Sequence, residues 1–311
     1  RPLQRPASPR IPRQIVFTSK EASAEKLPLP VQANLNRTLA LDPGLTIRWL
    51  DDPACFEYLE SHYGQAFAQR LEGEPHGSFR GDLCRAAVLF SEGGFYVDLD
   101  LQLRLPITSL VDNDTTFMTA FTTDGAILNA LVAAEPHNAV MAETMRELRR
   151  WYSSAALRKA NEEVDRTANE WMGPLTMLRA LRAVMRVHCP HIELEQQRET
   201  HKWACGAQRF VLYDERPLDC PYPFADEPVT HPQWQDVECP PDRARSEFDG
   251  LRYGLFVPGG EFGSERKLVA WPRFDACEDW GCKGGGWDDS PAATAEERPQ
   301  GSGRRLAVAA R

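Results

Sequence analysis

Two carboxylates, Asp98 and Asp100, stand at i and i+2 within the apolar series Phe95, Val97, Leu99 and Leu101. Successive strand residues point to opposite faces, so Phe95–Leu101 reads as a strand with Tyr96, Asp98 and Asp100 on one side. Like charges that close repel, and each costs heavily if buried without a partner. A cation shared with a ligand relieves both. Oxygen donors select Mg2+ or Mn2+, ions that keep open positions for substrate phosphates. A lone Asp-x-Asp carries little weight, but this one ends an apolar strand directly after a helix and the Gly93-Gly94 turn.

That helix is expected over Asp82–Glu92, because Leu83, Ala86, Ala87 and Phe90 fall at i, i+3, i+4 and i+7. Glycine tolerates the left-handed conformation, so Gly93-Gly94 ends it. Asp82 and Arg85 share one face near its start. As a surface ion pair they would contribute about 0–1 kcal/mol. Combined with Asp98 and Asp100 they suit sugar binding instead, with Asp82 accepting from sugar hydroxyls and Arg85 donating to a sugar or phosphate oxygen.

The flanking elements read as an α/β fold. Gln14–Phe17 is a short buried strand, residues 27–42 a helix, Leu45–Leu50 a second strand and Pro53 to Leu71 a second helix capped by Asp51 or Asp52. Strand, helix, strand, helix implies a mostly parallel sheet flanked by crossover helices. Thr116–Phe121 continues the strands, and Met141, Met145, Leu148 and Tyr152 mark a further helix by core packing. Beyond residue 200 the pattern weakens into an irregular, cysteine-containing part.

The chain has 311 residues, 42% of them hydrophobic and 26% charged, enough apolar content for a sizeable core. The net charge of −9 argues against a general nucleic-acid binder, which needs a basic stripe. No apolar run reaches the roughly 18–20 residues of a membrane span. Eight cysteines, five of them after residue 200, form no Cys-x-x-Cys pair. That pattern excludes zinc ribbons and fits disulfides in an oxidising compartment. The sequons Asn36-Arg37-Thr38 and Asn113-Asp114-Thr115 agree, so a glycoprotein of the secretory-pathway lumen, in the Golgi or secreted, is expected. Residues 1–13, rich in Pro and Arg, read as a solvated leader or stalk, 14–283 as the catalytic domain with its core motif at 78–103, and 284–311 as a flexible tail. A start at Arg1 suggests that a leader or anchor was removed, and such an anchor would tether the protein to a membrane.

Asp82-x-x-Arg85 followed by Gly93-Gly94-x-Tyr96-x-Asp98-x-Asp100 resembles the core of the DXD-motif sugar transferases. That family includes fungal initiating mannosyltransferases, capsular-polysaccharide transferases and glycolipid α-galactosyltransferases. More loosely, Ile11-Pro12-Arg13-Gln14-Ile15, Trp49-Leu50-Asp51-Asp52, Asn129 with Ala133–His137, and Gly173-Pro174-x-Thr176 resemble further family segments, extending the likeness over about residues 11–180. The chain departs from the family at Val16-Phe17-Thr18-Ser19-Lys20, where a His-x-Thr-Trp is usual, and lacks its terminal His-x-Trp.

The resemblance implies a GT-A-like, Rossmann-like fold and a retaining transfer of a hexose from a nucleotide-sugar donor to a glycan, glycolipid or protein-linked acceptor. It implies Mn2+ or Mg2+ as cofactor, with Asp98 and Asp100 as metal ligands, and no nucleic-acid partner. Asp82, Arg85, Asp98 and Asp100 would be the catalytic set. Gly94, Tyr96, Phe17 and Asn129, with Asp82, Arg85 and Asp98, would line the donor site, and Asp124 is an alternative to Asn129. A catalytically inactive nucleotide- or sugar-binding protein of the same fold is the competing reading. A metal-dependent phosphohydrolase fits less well, for want of a His or third-carboxylate cluster.

Overall fold

The computed structural model describes residues 8–122, 125–163, 172–194, 201–218, 252–258 and 266–272. Strands β1 (Gln14–Thr18), β2 (Thr46–Leu50), β3 (Gly94–Val97), β5 (Phe117–Phe121), β6 (Leu131–Ala134), β7 (His201–Cys205) and β8 (Gln208–Leu218) form the main sheet. Its order is β2-β1-β3-β6-β5-β8, with β7 paired to β8. β1 pairs in parallel with both β2 and β3, and β5 with β8, while β6 and β7 run against their neighbours. Five of the seven strands therefore share one direction, and the expected mixed, mostly parallel α/β sheet is what forms.

The second half of β8 leaves this sheet. Glu215–Leu218 pair with β9 (Arg252–Pro258), β9 pairs with β10 (Arg266–Pro272), and β10 returns to β4 (Leu101–Leu103). The part of the chain expected to be irregular thus supplies regular strands where it is described. Residues 284–311 lie outside the described residues.

Helix α1 (Leu29–Leu41) crosses from β1 to β2 on one face of the sheet, where Val31 and Leu35 join Ile15, Phe17, Phe95 and Val97 in one core. Helices α2 (Asp52–Tyr63), α3 (Gln65–Glu72) and α4 (Gly77–Ser91) cross to β3 on the opposite face. There they pack with α5 (Ala139–Ser153) and α7 (Pro174–His188) around Val16, Tyr96 and Phe117, and α6 (Ala155–Glu163) follows α5. From β1 the chain winds first to one side and then to the other. The seam between β1 and β3 is therefore the topological switch point, where open α/β sheets bind ligands beyond the strands' carboxyl ends.

Local differences from the sequence-based expectations have identifiable causes. The helix expected over Pro53–Leu71 is two, because Gly64 at φ 88° ends α2. Asp51 caps α2 as expected, accepting from the Ala54 amide at 2.8 Å. α4 begins five residues before Asp82, since burial of Phe79 carries the apolar stripe a turn further back through Gly77 and Gly81. The strand expected over Phe95–Leu101 stops at Val97. Residues 98–101 form a turn closed by the Leu101 amide donating to the Asp98 carbonyl at 3.1 Å. The expected leader is folded from Arg10 onward: Ile11 is in the core, Arg10 pairs with Glu135 at 2.7 Å, and Arg13 pairs with Asp42 at 2.8 Å.

Two disulfides are described, Cys55–Cys84 between α2 and α4 and Cys189–Cys205 between the end of α7 and β7. The other four cysteines lie outside the described residues.

Candidate functional site

The carboxyl ends of β1 and β3 present Thr18 and Asp98. Val16 lies in register with Tyr96, so Thr18 and Asp98 lie beside one another at the seam, on the face that α4 covers. α4 brings in Asp82 and Arg85, and the segment before β6 brings in Asn129.

Arg85 ties these pieces together. Its Nη2 lies 3.3 Å from Asp82 Oδ1, its Nη1 lies 3.4 Å from Asp98 Oδ1, and Nη1 donates to the Asn129 carbonyl at 2.7 Å. The guanidinium also lies over the Tyr96 ring, 4.3 Å from its centroid, a cation–π contact. Asn129 Nδ2 donates to Asp82 Oδ1 at 2.8 Å. The Tyr96 hydroxyl donates to Asp98 Oδ1. Asp82 and Arg85 are buried, at 8% and 7% exposure, so theirs is not the surface ion pair that spacing alone allows. The Asp98 side chain is 30% exposed.

Burial pushes the Asp82 carboxyl up to about 6. Arg85 opposes that shift, Asp98 adds to it, and the Asn129 hydrogen bond opposes it. Burial acts to lower Arg85, but Asp98, Tyr96, Asp82 and Asp100 together outweigh it and hold the guanidinium firmly charged. Burial first, then Asp98, raise the Tyr96 phenol well above its ordinary value, so it remains a neutral donor.

Asp82, Arg85, Asp98, Tyr96 and Asn129 thus converge, and Asp100 lies within the field of Arg85. The Asp98–Asp100 pair sits on a turn, not on the strand face expected for it. Asp82, Asp98 and Asp100 outnumber the one guanidinium that they act on, and net negative charge favours a cation. Among the described residues no group of three or more His, Cys, Asp or Glu could hold a metal unaided. Asp98 and Asp100 could supply only one or two oxygens, the number of carboxylates by which Mg2+ is usually held beside substrate phosphates.

Two expected residues lie elsewhere. Phe17 is 1% exposed and packs toward Trp49, ring centroids 6.1 Å apart, in the core on the other face of the sheet. Gly94 opens β3, about 13 Å of strand before Asp98. A Cβ there would lie 2.5 Å from Gln14 Cγ, so its glycine serves the close approach of β1 and β3. Asp124 lies outside the described residues.

Two residues join the cluster that sequence reasoning does not place there. Thr18 Oγ1 lies 3.0 Å from the Tyr96 hydroxyl. Gly173, at the N-terminus of α7 with φ 67°, would put a Cβ 3.2 Å from Asp82 Oδ2. Thr18 carries a signal in its place at the end of a parallel strand. Gly173 carries one in the Gly-Pro that opens a helix.

The chain matches no family model and no curated protein sequence. Among solved structures it is similar to the PaToxG glycosyltransferase, at 14% identity and a TM-score of 0.35, over 60% of this chain and 74% of that one. It is also similar to a transferase bearing two cysteine-to-serine substitutions, at 8% identity and a TM-score of 0.31, over 60% and 89%. A third is a glycosyltransferase involved in glycosylation of the major capsid of PBCV-1, at 13% identity and a TM-score of 0.28, over 65% and 82%. Likenesses this slight carry no argument about chemistry, which rests on the cluster at the seam.

Proposed function

We propose that the protein is a retaining glycosyltransferase that moves a hexose from a nucleotide-sugar donor to a glycan, glycolipid or protein-linked acceptor. The observation that carries the reading is the buried Asp82–Arg85 pair, held by Asn129 and joined through Arg85 to Asp98 at the switch point. A sugar offers hydroxyls to a fixed carboxylate, and Asp82 is such a group, held on one oxygen by Asn129 and Arg85. A diphosphate needs positive charge. Asp98 and Asp100 would hold a divalent cation there, and that ion would act as a Lewis acid on the departing nucleoside diphosphate.

Arg85 is nearly enclosed. Its role in this reading is to hold Asp82 and Asp98 at a fixed separation while offsetting their repulsion. The two cystine bridges fit a secretory-pathway lumen as the working compartment, in the Golgi or outside the cell.

The test is a panel of nucleotide-sugars with Mn2+, read by thermal shift and by release of nucleoside diphosphate. One donor should raise the melting temperature, as a ligand of the folded state must, and be turned over. Asp98→Ala should abolish turnover while keeping the far-UV spectrum. Binding without turnover would support a catalytically inactive sugar-binding protein, and no binding by any donor would refute both readings.

A further inference from the structure

We infer that Thr18 is a positioning residue that fixes how Asp98 faces a divalent cation. The inference deepens the glycosyltransfer reading and rests on it.

The Tyr96 hydroxyl has one proton, and it goes to Asp98 Oδ1. The oxygen of Tyr96 can then only accept from Thr18, 3.0 Å away, so the chain of donation runs from Thr18 to Tyr96 to Asp98. Without the Thr18 hydroxyl, the phenolic proton is free to rotate away from Asp98. With it, one direction is closed and the phenolic hydrogen stays directed at the carboxylate.

The effect falls on one oxygen. Both protein contacts described for the Asp98 carboxylate, from Tyr96 and from Arg85 Nη1, reach Oδ1. Among the described residues neither contact uses Oδ2, so that oxygen would be the one left to ligate Mg2+ or Mn2+. Hydrogen bonds behind a ligand's coordinating atom commonly tune metal affinity about 10- to 100-fold. Thr18 acts one bond further back, so a smaller effect is expected.

The experiment titrates Mn2+ in the presence of UDP or GDP and reads free ion by electron paramagnetic resonance, with no turnover needed. Thr18→Val keeps the shape and removes the hydroxyl, and it should weaken Mn2+ binding roughly 3- to 10-fold. Thr18→Ser should restore it. In a Tyr96→Phe background, Thr18→Val should add nothing, because Thr18 acts only through that phenol. Unchanged binding by Thr18→Val, or an equal loss in the Tyr96→Phe background, overturns the inference while leaving glycosyl transfer standing. Wild-type protein that binds no Mn2+ with either diphosphate overturns the glycosyltransfer reading and this one with it. If Thr18→Val fails to fold, Thr18→Ala in the same cycle decides by the same criteria.

Discussion

Asn129 and Asp82 are 47 positions apart in the chain and meet through one hydrogen bond, Nδ2 to Oδ1 at 2.8 Å. The same asparagine accepts from Arg85 through its backbone carbonyl. It therefore touches both members of a buried ion pair and sets the distance between α4 and the segment leading into β6. A hydrogen bond to a charged group contributes about 1.5–3 kcal/mol. Asn129→Ala should lower stability by about that much in urea unfolding. It should also raise the Asp82 pKa further, because this bond is one of the forces holding it down. A variant as stable as the wild-type chain would show that the contact is incidental.

Asp82 gives stability and activity opposite responses to pH. Its carboxyl is raised from 3.8 to about 6 on folding, so between those values the folded chain binds more protons than the unfolded one. The contribution of Asp82 to stability then falls as pH rises through that window, by on the order of 3 kcal/mol for a shift of about two units. The contribution is complete below about pH 4 and gone above about pH 6. Sugar hydroxyls need the ionised carboxylate as acceptor, so transfer should instead rise through about pH 6. Unfolding of wild type and Asp82→Asn from pH 4 to 7 checks the first part. The wild-type advantage should decline to pH 6 and then level off, and a constant difference would contradict it.

The parts of the site carried by local spacing are legible in the sequence. Asp82 and Arg85 sit one helical turn apart whatever the tertiary structure, and Asp98 follows from the strand after Gly93-Gly94. The turn at Asp98–Asp100 is not legible, because Leu99 and Leu101 continue the apolar alternation unbroken. What bends the chain there includes Asn34 on α1, whose Nδ2 donates to the carbonyls of Leu99 and Leu101 at 3.0 Å each, from 65 and 67 residues away. Phe17 misleads for a related reason. A strand end exposes one of two adjacent side chains to the seam, and the register of β1 on β3 gives that place to Thr18.

Asn34 therefore has a consequence at the acidic turn. It is 4% exposed, and Asn34→Ala would leave two buried carbonyls without that donor, at about 1–3 kcal/mol in stability. Because those carbonyls flank Asp100, Mn2+ affinity with a bound nucleoside diphosphate should also drop. Calorimetric titration beside a melting curve measures both. A loss of stability with metal affinity intact would mean that Asn34 braces α1 alone.

Gly173 offers a paired test of how closely α7 approaches the buried carboxylate. Its φ of 67° lies where side chains are strained, and a Cβ would stand 3.2 Å from Asp82 Oδ2 and 3.8 Å from Asn129 Nδ2. Gly206 has a similar φ of 61°, yet nothing lies within 4 Å of where its Cβ would be. Both alanine variants incur backbone strain of order 1–3 kcal/mol. Only Gly173→Ala also pushes against Asp82, and tightly packed surroundings yield little. Stability should fall in both, whereas the KM for the donor should rise several-fold in Gly173→Ala and stay at the wild-type value in Gly206→Ala. Equal kinetics in the two variants would separate the helix N-terminus from the proposed role of Asp82.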